Sequence, residues 1–128
     1  LIEAKAPLSL LIEASLPWLF SSKFLSHSHN FQKQLTEMTN DPYPQSLIGY
    51  FGQLHVLENF DLMNTLSSIQ TKFLLLAGEE DLTSPAILAK NMHEKLPHSQ
   101  LHTFPNAGHM LTIEEEQAII KFIENFLK

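Results

Sequence analysis

The fold is decided by one short stretch of the sequence, FLLLAG at residues 73–78. Five consecutive apolar residues followed by a glycine are typical of a strand that is covered on both faces in a parallel sheet. Polar residues follow, and Ser84 and Pro85 then predict a helix start, with serine as the N-cap and proline at the first helical position. Apolar residues recur at helical spacing until Pro97. This part of the chain therefore predicts a strand and a crossover helix.

A second strand and a closing helix are predicted beyond this point. Residues 100–104 alternate apolar and polar side chains, as strands do, and the turn sequence PNAG follows at 105–108. Thr112 and Glu115 have the spacing of a capping box, and an apolar stripe continues from there to the end of the chain. We therefore predict an α/β fold in which residues 69–128 form a β-α-β-α unit of a parallel sheet.

Residues 1–68 have a different sequence pattern, in which helical segments are separated by turns. Prolines at positions 7 and 17 and the cluster NDPYP at 40–44 interrupt helix formation. We expect helices near residues 8–15, 28–39, 45–56 and 61–66. An apolar stripe in the third of these helices predicts one buried face. Nothing demands a second folding unit, so we expect one structural domain overall.

The composition limits the classes of partner. Acidic residues number 14 and basic residues 8, which gives a net charge of −6, and every basic residue is a lysine. Because guanidinium groups, which read bases and clamp phosphates, are missing, nucleic acid is not expected as a partner. The most apolar early stretch, residues 6–20, is interrupted by Pro7, Glu13 and Pro17, so no membrane span is expected. We expect a soluble protein with a cytoplasmic location.

Two loops carry residue types that are used in catalysis, and each loop directly follows a predicted strand. The first, GEEDLTSP at residues 78–85, offers three carboxylates, and the second, AGHM at 107–110, offers a histidine. The carboxyl ends of parallel strands meet at the same edge of a sheet, where side chains are held rigidly and stay accessible. The spacing therefore favours an acid and a base that lie close together.

Four features of the second half form a pattern: LSSIQTKFLLLAGEED at residues 66–81, Pro85, PNAGH at 105–109, and Glu114. Together they resemble the closing segment of the α/β-hydrolase superfamily, in which an apolar strand leads to a glycine, two variable residues and an acid. In that family a glycine–histidine pair follows about 25 to 30 residues later and supplies the base. The resemblance implies that Asp81 is the acid and His109 the base of a hydrolytic triad.

The resemblance implies roles for other parts of the chain as well. It extends more loosely back to Trp18, because the family inserts helical lid or cap segments before this part of the sheet, so residues 1–68 are expected to form a lid or cap region. Leu82 and Met110, beside the two catalytic positions, are expected to line the pocket of a small-molecule substrate together with Trp18. No cofactor is implied.

The nucleophile of such a triad is not found in the sequence. No Gly-x-Ser-x-Gly pattern occurs in the 128 residues, so we expect the nucleophile to precede Leu1 and the chain by itself to be inactive. The absence of an initiator methionine favours the same view. With a serine the substrate would be an ester, lactone, thioester or amide, whereas an aspartate nucleophile would give haloalkane or epoxide chemistry.

Simpler interpretations stay open. Asp81 could be an ordinary loop carboxylate that caps the next helix, and His109 could be one of seven histidines that follows a glycine by coincidence. The intact protein could also be a non-catalytic member of the same fold that binds a ligand or acts as a scaffold, and the helical half could be an interaction module.

Histidine pairs raise the alternative of a metal site. They lie at positions 27 and 29 and at positions 98 and 102. No cysteine or ordered carboxylate completes a tetrahedral ligand set, and the second pair brackets a predicted strand. No metal is therefore expected.

The predicted sheet is too small to cover its own edges. A single β-α-β unit leaves strand edges and apolar helix faces without partners. We therefore expect the 128-residue chain to associate with itself, as a dimer that pairs or swaps strands.

Overall fold

The computed structural model describes residues 6–128. The helices and strands follow in chain order: α1 (Leu8–Leu19), α2 (Ser22–Leu25), α3 (Ser28–Thr39), α4 (Leu47–Asn59), a 3-10 turn (Leu66–Ser68), β1 (Phe73–Gly78), α5 (Ala86–Lys95), β2 (Ser99–Phe104), α6 (Leu111–Glu114) and α7 (Glu116–Phe126). Four helices precede the first strand, and strand and helix then alternate. The α/β fold class predicted from the sequence is confirmed.

The two strands pair in parallel, in a register that places Phe73 opposite Ser99 and Gly78 opposite Phe104. Helix α5 connects them and contacts both. Both strands lie within one residue of their predicted positions, because the apolar run and the flanking turns are strong local signals. The chain therefore contains the β-α-β unit that the sequence predicts.

Helix α7 covers one face of this sheet. Its buried Ile119 packs with Phe104 and Ala107, and Leu76 of β1 packs against the same cluster. Phe122 meets the edge of the Phe104 ring at a centroid distance of 5.9 Å. Burial of these side chains holds the ends of the strands, and the loops that follow them, against the last helix.

Helices α1, α2 and α3 form a second core. Ile12, Leu16 and Phe20 are buried on one side of α1 and its end, and Leu35 of α3 packs against them. Met110, from the loop after β2, also packs against this cluster. The helical half and the sheet half are therefore joined at the carboxyl ends of the strands.

Three of the helices predicted in residues 1–68 differ from the structure, and the smallest difference is that of α4, which runs over Leu47–Asn59 where 45–56 was predicted. Helix α1 continues through Pro17 to Leu19, because a proline in the last turn removes only one helical hydrogen bond. No helix forms at 61–66; the Asp61 side chain accepts a hydrogen bond from the Met63 N–H at 2.8 Å. This local bond competes with helix formation, and only the 3-10 turn at Leu66–Ser68 remains.

Both predicted N-caps are wrong. Ser84 does not cap α5, which begins at Ala86 without a side-chain cap, and its N–H donates to Asp81 instead. Thr112 and Glu115 form no capping box, because the helix has already begun at Leu111 and breaks at Glu115, where φ is −128° and ψ is 31°. The predicted closing helix is therefore two helices, α6 and α7.

The predicted burial of helix faces is wrong in two places. No residue of α4 is buried; Ile48 is 88% exposed and Leu57 70%. In α7 only Ile119 is buried, and Ile123 is 42% exposed. Each apolar stripe exists in the sequence, but the residues that the structure describes do not cover it. No helix within residues 6–128 has the length and the apolar character that a bilayer crossing requires.

Candidate active site

The loops after β1 and β2 are fastened to each other by backbone hydrogen bonds. The N–H of Glu79 donates to the carbonyl of Phe104 at 2.9 Å, and the N–H of Glu80 donates to the carbonyl of Ala107 at 3.0 Å. These two bonds hold the loops together beyond the last paired strand residues, Gly78 and Phe104. It brings the two loops that carry Asp81 and His109 to one edge of the sheet.

Glycines permit this close approach. A Cβ atom at Gly78 would lie 2.3 Å from the carbonyl oxygens of both Ala107 and Gly108. A Cβ atom at Gly108 would lie 2.8 Å from backbone atoms of Phe20 and Ser21. Because no side chain fits at either position, the two glycines set how tightly the loops and the end of α1 pack.

The structure brings Asp81 and His109 together. Oδ2 of Asp81 lies 2.9 Å from Nδ1 of His109, and Oδ1 accepts hydrogen bonds from the N–H groups of Thr83 at 2.8 Å and Ser84 at 2.7 Å. Both carboxylate oxygens therefore have partners. The Asp81 side chain is 8% exposed and that of His109 36%. The Asp81 carboxylate is sheltered, and the His109 imidazole reaches the surface.

This arrangement defines what the imidazole can do. With Asp81 ionised, Nδ1 of His109 carries the proton that is shared with Oδ2, which leaves Nε2 free to accept or return a proton. The carboxylate also stabilises the imidazolium that forms when Nε2 accepts a proton. A sheltered carboxylate next to a partly exposed imidazole can therefore perform general acid–base chemistry.

Residues 18–22, here called the α1–α2 corner, contact both loops. Thr83 donates from its hydroxyl to the carbonyl of Trp18 at 3.0 Å, and the N–H of Met110 donates to the carbonyl of Leu19 at 2.9 Å. The backbone N–H and the hydroxyl of Ser22 both donate to Oε2 of Glu80 at 2.8 Å. These bonds connect the helical half to the loops of Asp81 and His109.

The Ser22 hydrogen bonds also change the charge behaviour of Glu80. The backbone N–H bond, followed by the hydroxyl bond, lowers the pKa of the Glu80 carboxyl below its ordinary value of 4.5, against a smaller opposing effect of burial. Glu80 therefore keeps its charge into mildly acidic solution and acts as an anchor for α2.

Glu114 is a site residue that sequence reasoning named only as part of the family pattern. Its Oε1 accepts hydrogen bonds from the N–H of Gly108 at 2.9 Å and from the N–H of Ser21 at 3.1 Å, and its Oε2 accepts from the Ser21 hydroxyl. One carboxylate thus joins the histidine loop to the α1–α2 corner. Its position five residues after His109 is the only local signal of this role.

The three residues proposed from the sequence as pocket linings occupy different environments. Trp18 is 57% exposed and Leu82 56%, whereas Met110 is partly buried against the α1 cluster. Concave surfaces lie along α6 and α7 and along α4, and neither of these includes Asp81 or His109. The Trp18 carbonyl accepts from the Thr83 hydroxyl and the Met110 N–H donates to the Leu19 carbonyl, so both residues are attached to the hydrogen bonds between the α1–α2 corner and the two loops.

The histidine pairs do not come together with further ligands. Within residues 6–128, no group of three or more histidine, cysteine, aspartate or glutamate side chains is placed to hold a metal ion. His102 instead stacks on Phe122 at a centroid distance of 4.0 Å, and His27 Nδ1 lies 3.2 Å from the carbonyl of Lys23. These histidines have local structural partners.

Comparison with known proteins identifies the family. A family model described as TAP-like protein (Abhydrolase_4) matches residues 58–128, which is more than half of the chain. The chain belongs to the α/β-hydrolase superfamily. The match covers both strands and both loops, and it includes Asp81, His109 and Glu114.

Curated relatives of this α/β-hydrolase chain carry names of hydrolases. A proline iminopeptidase of Clostridium botulinum is 34% identical over 77 residues, which are 60% of this chain and 26% of that protein. A putative carbamate hydrolase, RutD, of Acinetobacter baylyi is 25% identical over 122 residues, which are 91% of this chain and 44% of that protein. The chain spans less than half the length of either relative.

Solved structures share the fold of this α/β-hydrolase chain. A thermophilic esterase from Thermogutta terrifontis matches with a TM-score of 0.77 and 23% identity, over 98% of this chain and 45% of the esterase. A putative non-heme bromoperoxidase, BpoC, from Mycobacterium tuberculosis matches with a TM-score of 0.85 and 20% identity, over 98% of this chain and 47% of that protein. Identities this low establish the fold alone.

Proposed function

We propose that this chain contributes the acid, Asp81, and the base, His109, of a serine-type hydrolase that cleaves an ester, lactone, thioester or amide. The observation that carries the proposal is the 2.9 Å contact between Asp81 Oδ2 and His109 Nδ1 at the carboxyl ends of two adjacent parallel strands. The hydrolase names of the curated relatives support the same class of reaction.

The proposed chemistry follows from the geometry of the pair. A serine hydroxyl is a weak nucleophile at neutral pH, so Nε2 of His109 accepts its proton during attack and later returns a proton to the leaving group. Asp81 holds the imidazole in the required tautomer and stabilises its charged form. The backbone N–H bonds to Oδ1 keep the carboxylate of Asp81 in place while the histidine changes charge.

The neighbouring carboxylates are poorer candidates for the acid. Glu79 accepts a hydrogen bond from the Thr103 hydroxyl at 2.8 Å, and Glu80 accepts two from Ser22. Both carboxylates therefore have hydrogen-bond partners other than the histidine. Of the three carboxylates in the loop, Asp81 is the one that contacts His109.

The nucleophile and the oxyanion hole belong, in this proposal, to residues that precede Leu1. None of the 128 residues lies in a Gly-x-Ser-x-Gly sequence, and a base without a nucleophile has nothing to activate. We therefore propose that the 128-residue chain alone does not hydrolyse esters. The full-length gene product is the form in which activity is expected.

We also propose that residues 1–68 form a lid or cap region over a substrate pocket that Trp18, Leu82 and Met110 help to line. The exposure of Trp18 and Leu82 supports this, because large apolar side chains beside a reactive pair are suited to an apolar acyl or alcohol group. The bond from Thr83 to the Trp18 carbonyl keeps the proposed lid close to Asp81.

The experiment is hydrolysis of p-nitrophenyl esters by the full-length gene product and its variants. His109→Ala and Asp81→Asn should each lower kcat by about 10³- to 10⁴-fold, because the first removes the base and the second favours the wrong tautomer. His98→Ala and Asp61→Asn are matched controls at exposed positions, and they should leave kcat unchanged. Full activity in both site variants would overturn the proposal.

Other outcomes assign other functions. Turnover of haloalkanes or epoxides, with no turnover of esters, would indicate that the nucleophile is an aspartate and not a serine. Ligand binding without turnover of any of these substrates would identify a non-catalytic member of the fold.

A further inference from the structure

We propose that Glu114 is a positioning residue that fixes His109 for proton transfer by tying the histidine loop to the α1–α2 corner. The inference rests on the proposed function, because it assigns a role to a residue that contacts neither the substrate nor the imidazole. It concerns the residues that hold the base in place, whereas Asp81 orients the ring itself.

The Glu114 carboxylate connects two distant segments of the chain. Oε1 lies 2.9 Å from the N–H of Gly108, the residue directly before His109, and 3.1 Å from the N–H of Ser21. Oε2 accepts from the hydroxyl of Ser21, which is 93 residues away in sequence. Ser21 is 1% exposed, and a buried donor that loses its acceptor destabilises the structure.

The other neighbour of His109 is held to the same corner. The N–H of Met110 donates to the carbonyl of Leu19 at 2.9 Å. The residues before and after His109 are thus both bonded, directly or through Glu114, to the α1–α2 corner. Because the peptide chain is fixed on both sides of His109, the α1–α2 corner determines the position of the His109 backbone, from which the imidazole extends.

Asp81 is also connected to the α1–α2 corner by hydrogen bonds. Thr83, whose N–H bonds to Asp81, donates from its hydroxyl to the carbonyl of Trp18. Asp81 and His109 are therefore both attached to the α1–α2 corner, and Glu114 provides the connection on the His109 side. A displacement of the histidine loop on the order of 1 Å can cost about a hundredfold in rate, although no contact with the substrate is lost.

Three kinds of substitution separate the contributions of charge and hydrogen bonding. Glu114→Ala leaves the N–H groups of Gly108 and Ser21 and the Ser21 hydroxyl without an acceptor. Glu114→Gln keeps one acceptor oxygen but directs an NH₂ group at remaining donors. Ser21→Ala keeps Glu114 and its bonds to the N–H groups of Gly108 and Ser21, but it removes the hydroxyl bond to Glu114 together with the cap that the hydroxyl gives to the Phe24 N–H at the start of α2. Glu116→Gln is the matched control, because Glu116 is exposed and lies two residues further on.

The first measurement is kcat and KM of the full-length gene product. Glu114→Ala should lower kcat by about 10- to 100-fold with KM within about twofold, and Glu114→Gln should lie between it and the unaltered protein. Glu116→Gln should match the unaltered protein. An unchanged kcat in both Glu114 variants would overturn the inference, as would an equal loss in Glu116→Gln.

The second measurement does not depend on activity. In the 128-residue chain, the Nδ1 proton of His109 bonded to Asp81 should give a low-field resonance in the proton NMR spectrum. We expect this resonance to broaden or disappear in Glu114→Ala and to persist in Glu116→Gln. Its persistence in a folded Glu114→Ala chain would contradict the inference. If Glu114→Ala does not fold, Glu114→Gln decides by the same two measurements.

The two proposals can fail separately. Loss of activity in Asp81→Asn and His109→Ala, together with full kcat in the Glu114 variants, leaves the proposed function standing and removes the positioning role. Full activity in Asp81→Asn and His109→Ala removes the proposed function, and the NMR resonance then still decides whether Glu114 positions His109.

Discussion

Nδ1 of His109 lies 2.9 Å from Oδ2 of Asp81, although 28 residues separate them in sequence. The contact exists because β1 and β2 are adjacent and parallel, so that their carboxyl ends, and the loops beyond them, meet at one edge. The loops are fixed further by backbone bonds between them and by the α1–α2 corner. The pair is thus a product of the sheet topology.

The fit of the two loops at Gly78 gives a prediction about stability. In Gly78→Ala the new Cβ would lie 2.3 Å from the carbonyl oxygens of Ala107 and Gly108. These atoms belong to backbone and must move, so we expect a loss of about 1 to 3 kcal/mol in the free energy of unfolding. Thermal and denaturant unfolding of the 128-residue chain, followed by circular dichroism, measures this loss.

Gly52→Ala is the matched control for that substitution. Nothing lies within 4 Å of a Cβ at Gly52, which sits inside α4. Alanine there should raise stability by about 0.5 to 1 kcal/mol, because it is a better helix former than glycine. A Gly78→Ala chain that is as stable as the Gly52→Ala chain would show that the loops do not pack as described.

The Glu80 anchor gives a prediction about pH. Because the bonds from Ser22 lower the folded-state pKa below 4.5, the anchor contributes stability above that pH and loses it as the pH falls through the folded pKa. Glu80→Gln should therefore lower the Tm at neutral pH, and the difference from the unaltered chain should shrink in acid. Glu124→Gln, at an exposed position of α7, is the control. A difference that is constant across this pH range would contradict the role of the charge.

The sequence predicted the features that rest on local signals. The apolar run at 73–78, the turn at 105–108 and the spacing of Asp81 and His109 are each readable from neighbouring residues. The bonds of Glu114 and Glu80 to the α1–α2 corner were missed, because they join segments 93 and 58 residues apart and leave no local pattern.

The wrong predictions come from local sequence signals that the structure does not follow. Ser84 and Thr112 have the residue types of helix caps, but the N–H of Ser84 bonds to the nearby Asp81 side chain and α5 begins only at Ala86, whereas α6 has already begun at Leu111. The apolar stripe of α4 predicts burial, yet the residues that would cover it are not among those described. An apolar stripe in a sequence identifies the helix face that should be covered, but it does not identify the residues that cover it.

Exposed apolar surface gives a prediction about self-association. Among the described residues β1 pairs only with β2, which leaves one edge of each strand open, and α4 exposes Ile48 and Leu57. We predict that the 128-residue chain forms a dimer that pairs or swaps strands. Ile48→Lys and Leu57→Lys should weaken the association, whereas the same charge change in Gln117→Lys should not. Light scattering that gives a monomer at micromolar concentration would contradict the prediction.

The most direct test of the acid–base role is covalent labelling of the full-length gene product with a fluorophosphonate, followed by intact-mass spectrometry. An activated serine attacks the phosphorus and displaces fluoride, so its labelling rate reports the proton transfer assigned to His109. We predict a single adduct, formed far more slowly in His109→Ala and Asp81→Asn than in the His98→Ala control. No adduct in the unaltered protein, or equal labelling rates in all four proteins, would contradict it.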